Sequence, residues 1–156
     1  MKKLSLFVLT IIALAMVGCS KNPAEDFVGS YDVVATFTTD MEMPTGQTFS
    51  VETQVPGHIS IHLDGDEGAV TCRGMINTTG RADKESGLLQ LDDAKMDVTF
   101  ELPFTDPITM TLPISFDAME KQGAIKWTGS FPTVTYDGYS FINGKCSFEG
   151  TPFAKE

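Results

Sequence analysis

The chain is poor in the residues that build most chemical sites. Its 156 residues include one tryptophan, three cysteines and two histidines, His58 and His62. No C-x-x-C pair occurs, which removes the usual dithiol redox motif and the usual zinc knuckle. The two histidines stand four positions apart, so on a strand they share a face at about 13 Å, too far to hold one ion. His62 and Asp64 could offer two ligands, but the sequence nominates no others. No metal site is expected, and the histidines read as a solvated polar face. Basic residues are scarce as well: 11 Lys and Arg stand against 21 Asp and Glu, for a formal charge of −10. That sign repels phosphate backbones, so no nucleic-acid partner is expected, and it serves the solubility of an exported domain.

The catalytic signatures are incomplete. Residues 64–68, "DGDEG", begin like a calcium loop, but Met75 stands where such a loop needs its twelfth-position glutamate. They read as a turn with clustered carboxylates. "GYSFI" starts like a nucleophile elbow and has Ile142 in place of the second glycine. There is no Gly-rich phosphate loop, and carboxylates such as Asp97 and Glu101 are spread over outward faces with no cleft legible between them. No catalytic residue and no cofactor is assigned, and the chain is expected not to be an enzyme.

What the sequence does have begins at its start. Lys2 and Lys3 precede an apolar run over residues 4–17, which matches the charged and apolar regions of an export signal. The run falls short of the about 20 residues a spanning helix needs. Met16-Val17-Gly18-Cys19 resembles the lipobox of bacterial lipoproteins, with Met16 where that family usually has leucine. The resemblance implies that residues 1–18 are removed and that Cys19 carries acyl chains, which at about 0.8 kcal/mol per buried methylene hold a soluble domain on a membrane. The alternative is ordinary secretory cleavage near Gly18, leaving a free thiol. Residues 19–28 read as lipidated cysteine and tether, and the expected location is the bacterial envelope, lipid-anchored, at the periplasmic or cell-surface face of the outer membrane. Cys72 and Cys146 are candidates for one disulfide in that oxidising compartment, the alternative being two buried free thiols.

Residues 29–156 suffice for one domain. From Tyr31 onward apolar residues alternate with polar ones, the period of half-buried strands. Tyr31, Val33, Ala35 and Phe37 form one such face; Phe49, Val51 and Val55 a second; Ile59, Ile61 and Leu63 a third; Val70, Cys72 and Ile76 a fourth. A loop rich in Gly, Asp and Lys is expected at residues 79–87. Two long runs over residues 96–104 and 108–116 predict a hairpin across "TDP", with Pro113 marking a bulge or an edge. Ile125 and Trp127 add another face. Asp137-Gly138 and Asn143-Gly144 are strong turn dipeptides. As two-residue turns they pair Tyr136 with Tyr139, Val134 with Phe141, and then Phe141 with Cys146; alternatively, one of them marks a bulge in a longer strand. The predicted fold is all-β: a single antiparallel up-and-down barrel of about eight to ten strands, because closing the sheet removes exposed edges.

Between "FVGSYDVVATF" and "GYSFINGKCSFEG" the chain resembles the calycin-like or lipocalin-like β-barrel lipoproteins of Gram-negative envelopes, whose opening strand follows a G-x-Y or G-x-W triplet. Gly29-Ser30-Tyr31 fits that triplet. Tyr31 stands where typical lipocalins have tryptophan, and no arginine follows Arg81. The resemblance implies a membrane-anchored barrel. Met96, Phe100, Met110, Phe116, Trp127 and Phe141 fall on its apolar faces, and a barrel of about eight strands is either filled by such side chains or holds one small ligand. The expected function is therefore non-enzymatic binding of a small apolar or amphipathic ligand in that cavity. The alternative is a structural or protein-interaction module, such as an inhibitor, with a filled barrel.

Overall fold

The computed structural model describes residues 21–103 and 105–153; Cys19 and the expected signal at residues 1–18 lie outside the described residues. A short 3-10 helix, Glu25–Phe27, leads into eleven strands. These are β1 (Gly29–Glu42), β2 (Thr48–Leu63), β3 (Ala69–Gly74), β4 (Thr78–Ala82), β5 (Leu89–Leu91), β6 (Ala94–Phe100), β7 (Ile108–Phe116), β8 (Glu120–Gln122), β9 (Ala124–Phe131), β10 (Val134–Tyr136) and β11 (Tyr139–Pro152). The sheet runs β5-β4-β3-β2-β1-β11-β9-β7-β6, with β10 on β11 and β8 on β9. Every strand pairing is antiparallel. The predicted all-β, antiparallel up-and-down architecture is the observed one.

The sheet curls so that its ends meet. Leu89 of β5 bridges Met119, each N–H reaching the other's carbonyl at 2.9 and 2.7 Å. Farther along, Thr53 Oγ1 of β2 donates to the Thr99 carbonyl of β6 at 3.0 Å. Alternation then turns one face of each strand inward, which buries Tyr31, Val33, Ala35 and Phe37 on β1 and Ile108, Met110, Leu112, Ile114 and Phe116 on β7.

Two expected segments prove to be one strand. β2 runs unbroken through Pro56 and Gly57, keeping the odd-numbered residues from Phe49 to Ile61 inward, whereas Leu63 at its end, expected on the same face as Ile59 and Ile61, is 43 % exposed. Pro56 lies before β3 joins at Ile59, in a stretch laddered on one side only, where a missing N–H is tolerated. At Gly57 a Cβ would come within 2.6 Å of Met75 Cε, which fills the space a side chain would need. The β6–β7 hairpin forms, but β6 ends at Phe100, which pairs with Ile108. The connection is therefore residues 101–107 rather than "TDP" alone, and the register lies four residues from the one that runs over 96–104 and 108–116 imply. Pro113 sits on an edge because β7 meets β9 only at Ser115 and Phe116. The count exceeds expectation through short strands. β4 occupies residues expected as loop, and its alternation is hidden by Gly80, which packs its backbone against Leu91.

Of the two turn dipeptides, Asp137-Gly138 turns the chain with positive φ at both residues (48° and 82°), pairing Tyr136 with Tyr139 and Val134 with Phe141 as expected. Asn143-Gly144 does not turn. Asn143 takes φ 56° inside β11, where the register with β1 shifts between Thr38 and Asp40. The dipeptide forms a bulge of the kind described for longer strands. A turn there would have cost β11 the ladder that joins residues 140–142 to the end of β1. The expected pairing of Phe141 with Cys146 is replaced by Met41 with Phe141 and Phe37 with Cys146.

Two further expectations are corrected. The tether does not extend to residue 28: Ala24 and Phe27 are 0 and 1 % exposed, and Asn22 Oδ1 accepts N–H bonds from Ala24 (3.0 Å) and Gly68 (3.1 Å). Residues 22–28 therefore belong to the barrel and cover one end of it. The candidate disulfide between Cys72 and Cys146 is absent, both being buried free thiols. Cys72 sits level with Ile61, and so with Gly29, whereas Cys146 sits level with Phe37. Eight residues of strand put about 26 Å between those levels, and a disulfide needs Cα atoms within about 7 Å.

Candidate functional site

The six residues read as candidate cavity lining all point inward. Met96 and Phe100 come from β6, Met110 and Phe116 from β7, Trp127 from β9 and Phe141 from β11, and none is more than 7 % exposed. The four aromatic ones gather in two groups. Phe100 and Phe141 meet near the far end of β1, ring centroids 5.4 Å apart. Deeper in the barrel, Trp127 stacks on Phe148 at 4.9 Å and 3°, and Phe116 approaches the same ring edge-on at 5.7 Å. Phe148 also contacts Phe37 at 6.0 Å, and Phe37 contacts Phe131 at 6.3 Å.

Phe148 is thus the centre of the cluster, and the sequence reading did not single it out as lining. The available signal was alternation: in β11 the even positions Cys146, Phe148 and Gly150 share the inward face beyond the bulge. The bulge at Asn143 is what hid this, since it shifts the inward set from odd positions such as Phe141 to even ones. Glycines on the inward faces make room for the rings. A Cβ at Gly144 would come within 2.3 Å of the Phe131 ring, and one at Gly129 within 3.1 Å of Cys146 Sγ.

One polar atom is out of keeping with this interior. Trp127 Nε1 is buried and has no hydrogen-bond partner among the described residues. The deep hydroxyls are satisfied: Thr39, 3 % exposed, donates to the Ile142 carbonyl at 2.8 Å, and Tyr31, 2 % exposed, donates to the Phe27 carbonyl at 2.9 Å, with burial raising the Tyr31 pKa. That bond ties the Gly29-Ser30-Tyr31 triplet to the 3-10 helix covering the barrel end. Burial likewise pushes the Cys72 thiol up to about 12, and burial with the nearby Asp117 carboxylate does the same to Cys146.

Open clefts lie on the outer surface instead. One of about 630 Å³ sits over the bulge between Thr38, Asp40, Ser50, Ser130, Asn143 and Lys145. A second, about 470 Å³, runs over Thr36, Thr128, Ser147, Asp117 and Lys145, where Thr128 Oγ1 donates to Asp117 Oδ2 at 2.6 Å. Neither cleft is lined by any of the six inward residues. Both offer hydroxyls and isolated charges suited to hydrogen bonding with a polar surface.

The histidines are placed apart. His58 Nδ1 lies 3.0 Å from Asp32 Oδ1, and its ring meets Phe153 at 4.5 Å, while His62 is exposed. Among the described residues no group of three His, Cys, Asp or Glu could hold a metal ion. The "DGDEG" segment is a turn closed by Asp66 N–H to the Asp64 carbonyl (2.7 Å) and Ala69 N–H to the Asp66 carbonyl (3.1 Å).

No family model, no curated protein and no solved structure matches this chain.

Proposed function

We propose that this chain is a lipid-anchored protein of the bacterial envelope, non-enzymatic, whose filled calycin-like barrel serves as a rigid support presenting its surface to a protein partner. The observation that carries this reading is the ring cluster around Phe148: Trp127 and Phe116, expected to line a cavity, pack against that ring, and Phe100 packs against Phe141. The anchor rests on the lipobox-like Met16-Val17-Gly18-Cys19. Docking of residues 22–28 on one end supports it further, because the chain enters the barrel there and the opposite end is left to face away from the membrane.

A second reading, a small apolar or amphipathic ligand held inside the barrel, is favoured by the unpartnered Trp127 Nε1. A buried donor without an acceptor costs about 1–3 kcal/mol, which a ligand oxygen would recover. Thermal unfolding of the full chain in detergent, with and without a panel of fatty acids, lysophospholipids and isoprenoid quinones, separates the two. The interaction reading expects no shift of the midpoint above scatter and unchanged Trp127 emission. A midpoint that climbs with ligand concentration, with Trp127 emission moving in step, overturns it in favour of the second.

A further inference from the structure

The two ends of the barrel differ in charge. At the end where residues 22–28 dock, cations accompany the acids: Lys84 Nζ lies 3.3 Å from Glu67 Oε1, Arg81 Nη1 donates to the Glu67 carbonyl at 3.2 Å, and Lys21 pairs with Asp26. The opposite end is built from three segments, residues 39–53, 99–109 (of which 104 lies outside the described residues) and 133–144. Among them there is no Lys, Arg or His, and they carry Asp40, Glu42, Glu52, Glu101, Asp106 and Asp137. All but Asp40 are exposed, and Asp40 is held by Asn143 Nδ2 at 3.0 Å.

These segments form one surface. The Asp137-Gly138 turn abuts the β1–β2 turn, where the Cβ position of Gly138 is 3.4 Å from Pro44 Cγ. The Phe100–Phe141 contact brings the root of the β6–β7 loop to the same place. Between the carboxylates lie apolar groups. Tyr136 is 47 % exposed, Pro44, Pro103 and Pro107 are exposed, and Met43, Val134 and Tyr139 are half-buried against the core. Tyrosine set among apolar neighbours is a frequent energetic anchor of interfaces, and prolines limit the ordering cost of the loops that carry it. An exposed apolar face rimmed by one sign of charge recruits the opposite sign and repels like partners.

Resting on the interaction reading above, we infer that this end docks a cationic protein segment whose apolar side chains pack on Tyr136 and its neighbours while its Lys or Arg residues meet the carboxylate rim. β1 spans 14 residues between the two ends. At about 3.3 Å per residue that is roughly 45 Å of strand, so the surface is held well clear of the end where the chain enters.

The test uses the full chain in neutral detergent and three short fluorescent peptides: Arg alternating with Tyr and Leu, the same peptide with Glu for Arg, and Arg alternating with Ser. Anisotropy gives affinity, and hydrogen exchange gives location. The first peptide should bind best, weaken with salt, and protect amides of the three segments. A triple variant, Glu101→Gln with Asp106→Asn and Asp137→Asn, should weaken it roughly tenfold. A control with equal charge change at the other end, Glu25→Gln with Asp64→Asn and Glu85→Gln, should not. Tyr136→Ala should weaken the Arg/Tyr/Leu peptide and leave the Arg/Ser peptide unchanged. Equal losses in the two triple variants mean attraction by net charge alone and overturn the inference. So does a Glu peptide that binds as well as the Arg peptide, or no binding at all. Binding with exchange protection elsewhere overturns this surface while leaving the interaction reading intact, whereas the lipid-dependent thermal shifts described above would overturn that reading itself.

Discussion

Phe148 touches Trp127, Phe116 and Phe37, so the interior depends on it more than on any residue named from sequence. Phe148→Ala should cost about 3–5 kcal/mol, measured by denaturant unfolding, because three rings lose a common neighbour and strand backbones cannot collapse into the space. Tyr31→Phe should cost less, about 1–2 kcal/mol, since it leaves the buried Phe27 carbonyl without its donor. The thiols give a pH prediction. Burial raises Cys72 and Cys146 from 9.0 to about 12, so the unfolded chain ionises first. The stabilisation is complete below pH 9.0 and falls away as pH rises toward 12. At pH 8 neither thiol should react with an alkylating reagent until the chain is unfolded, and rapid labelling of the native protein would contradict the packing described for both.

At the scale of elements, the bulge at Asn143 sets which residues of β11 face inward. A left-handed residue without a Cβ penalty is needed, and asparagine meets this at low cost. Asn143→Ala should therefore destabilise by about 1–2 kcal/mol, and Asn143→Gly by less, the comparison being made by thermal unfolding. The β4–β5 loop offers a second test. Asp83 accepts N–H bonds from Ser86 (2.7 Å) and Glu85 (3.1 Å), and the bond from Ser86 is the largest cause of its lowered pKa. A depressed carboxylate stabilises above its unfolded pKa and loses that contribution as pH falls through its folded one. Amide exchange at Ser86 should accordingly accelerate selectively as the solution is acidified below the ordinary carboxylate range. Most elements were legible because alternation survives in them, as in the β6–β7 hairpin, whose two strands and inward faces followed from the apolar pattern although β6 ends at Phe100 and the register differs from a turn across "TDP". β4, β5 and β8 were not, since three to five residues carry too little pattern, whereas β10 was legible only through the Asp137-Gly138 turn that pairs it with β11. Asn143-Gly144 misled for a different reason: a dipeptide able to turn is equally able to bulge, and the partner strand chooses.

Across the whole molecule, the two barrel ends differ: residues 22–28 cover one, and segments with carboxylates and no basic residue form the other. The docked segment at residues 22–28 joins the barrel directly to the anchor proposed at Cys19, leaving little slack between them. Cys19→Ser should move the protein from the membrane to the soluble fraction on cell fractionation, and retention in the membrane would remove the anchor from the proposal. Deleting the docked contacts by Phe27→Ala should lower stability by about 3–5 kcal/mol without altering membrane association, separating the structural role of the segment from tethering.

What the sequence determined by itself is what depends on local repetition: the alternating faces, the all-β antiparallel architecture, the two strands of the β6–β7 hairpin, and the inward direction of Met96, Phe100, Met110, Phe116, Trp127 and Phe141. What only the tertiary structure decided is what depends on which strand lies beside which. The levels of Cys72 and Cys146 on the ladder, the bulge that recruits Phe148, the docking of Phe27, and the meeting of three base-free segments at one end all follow from long-range register. Register is fixed by burial of the whole curled sheet at once, and no local stretch of residues carries that information.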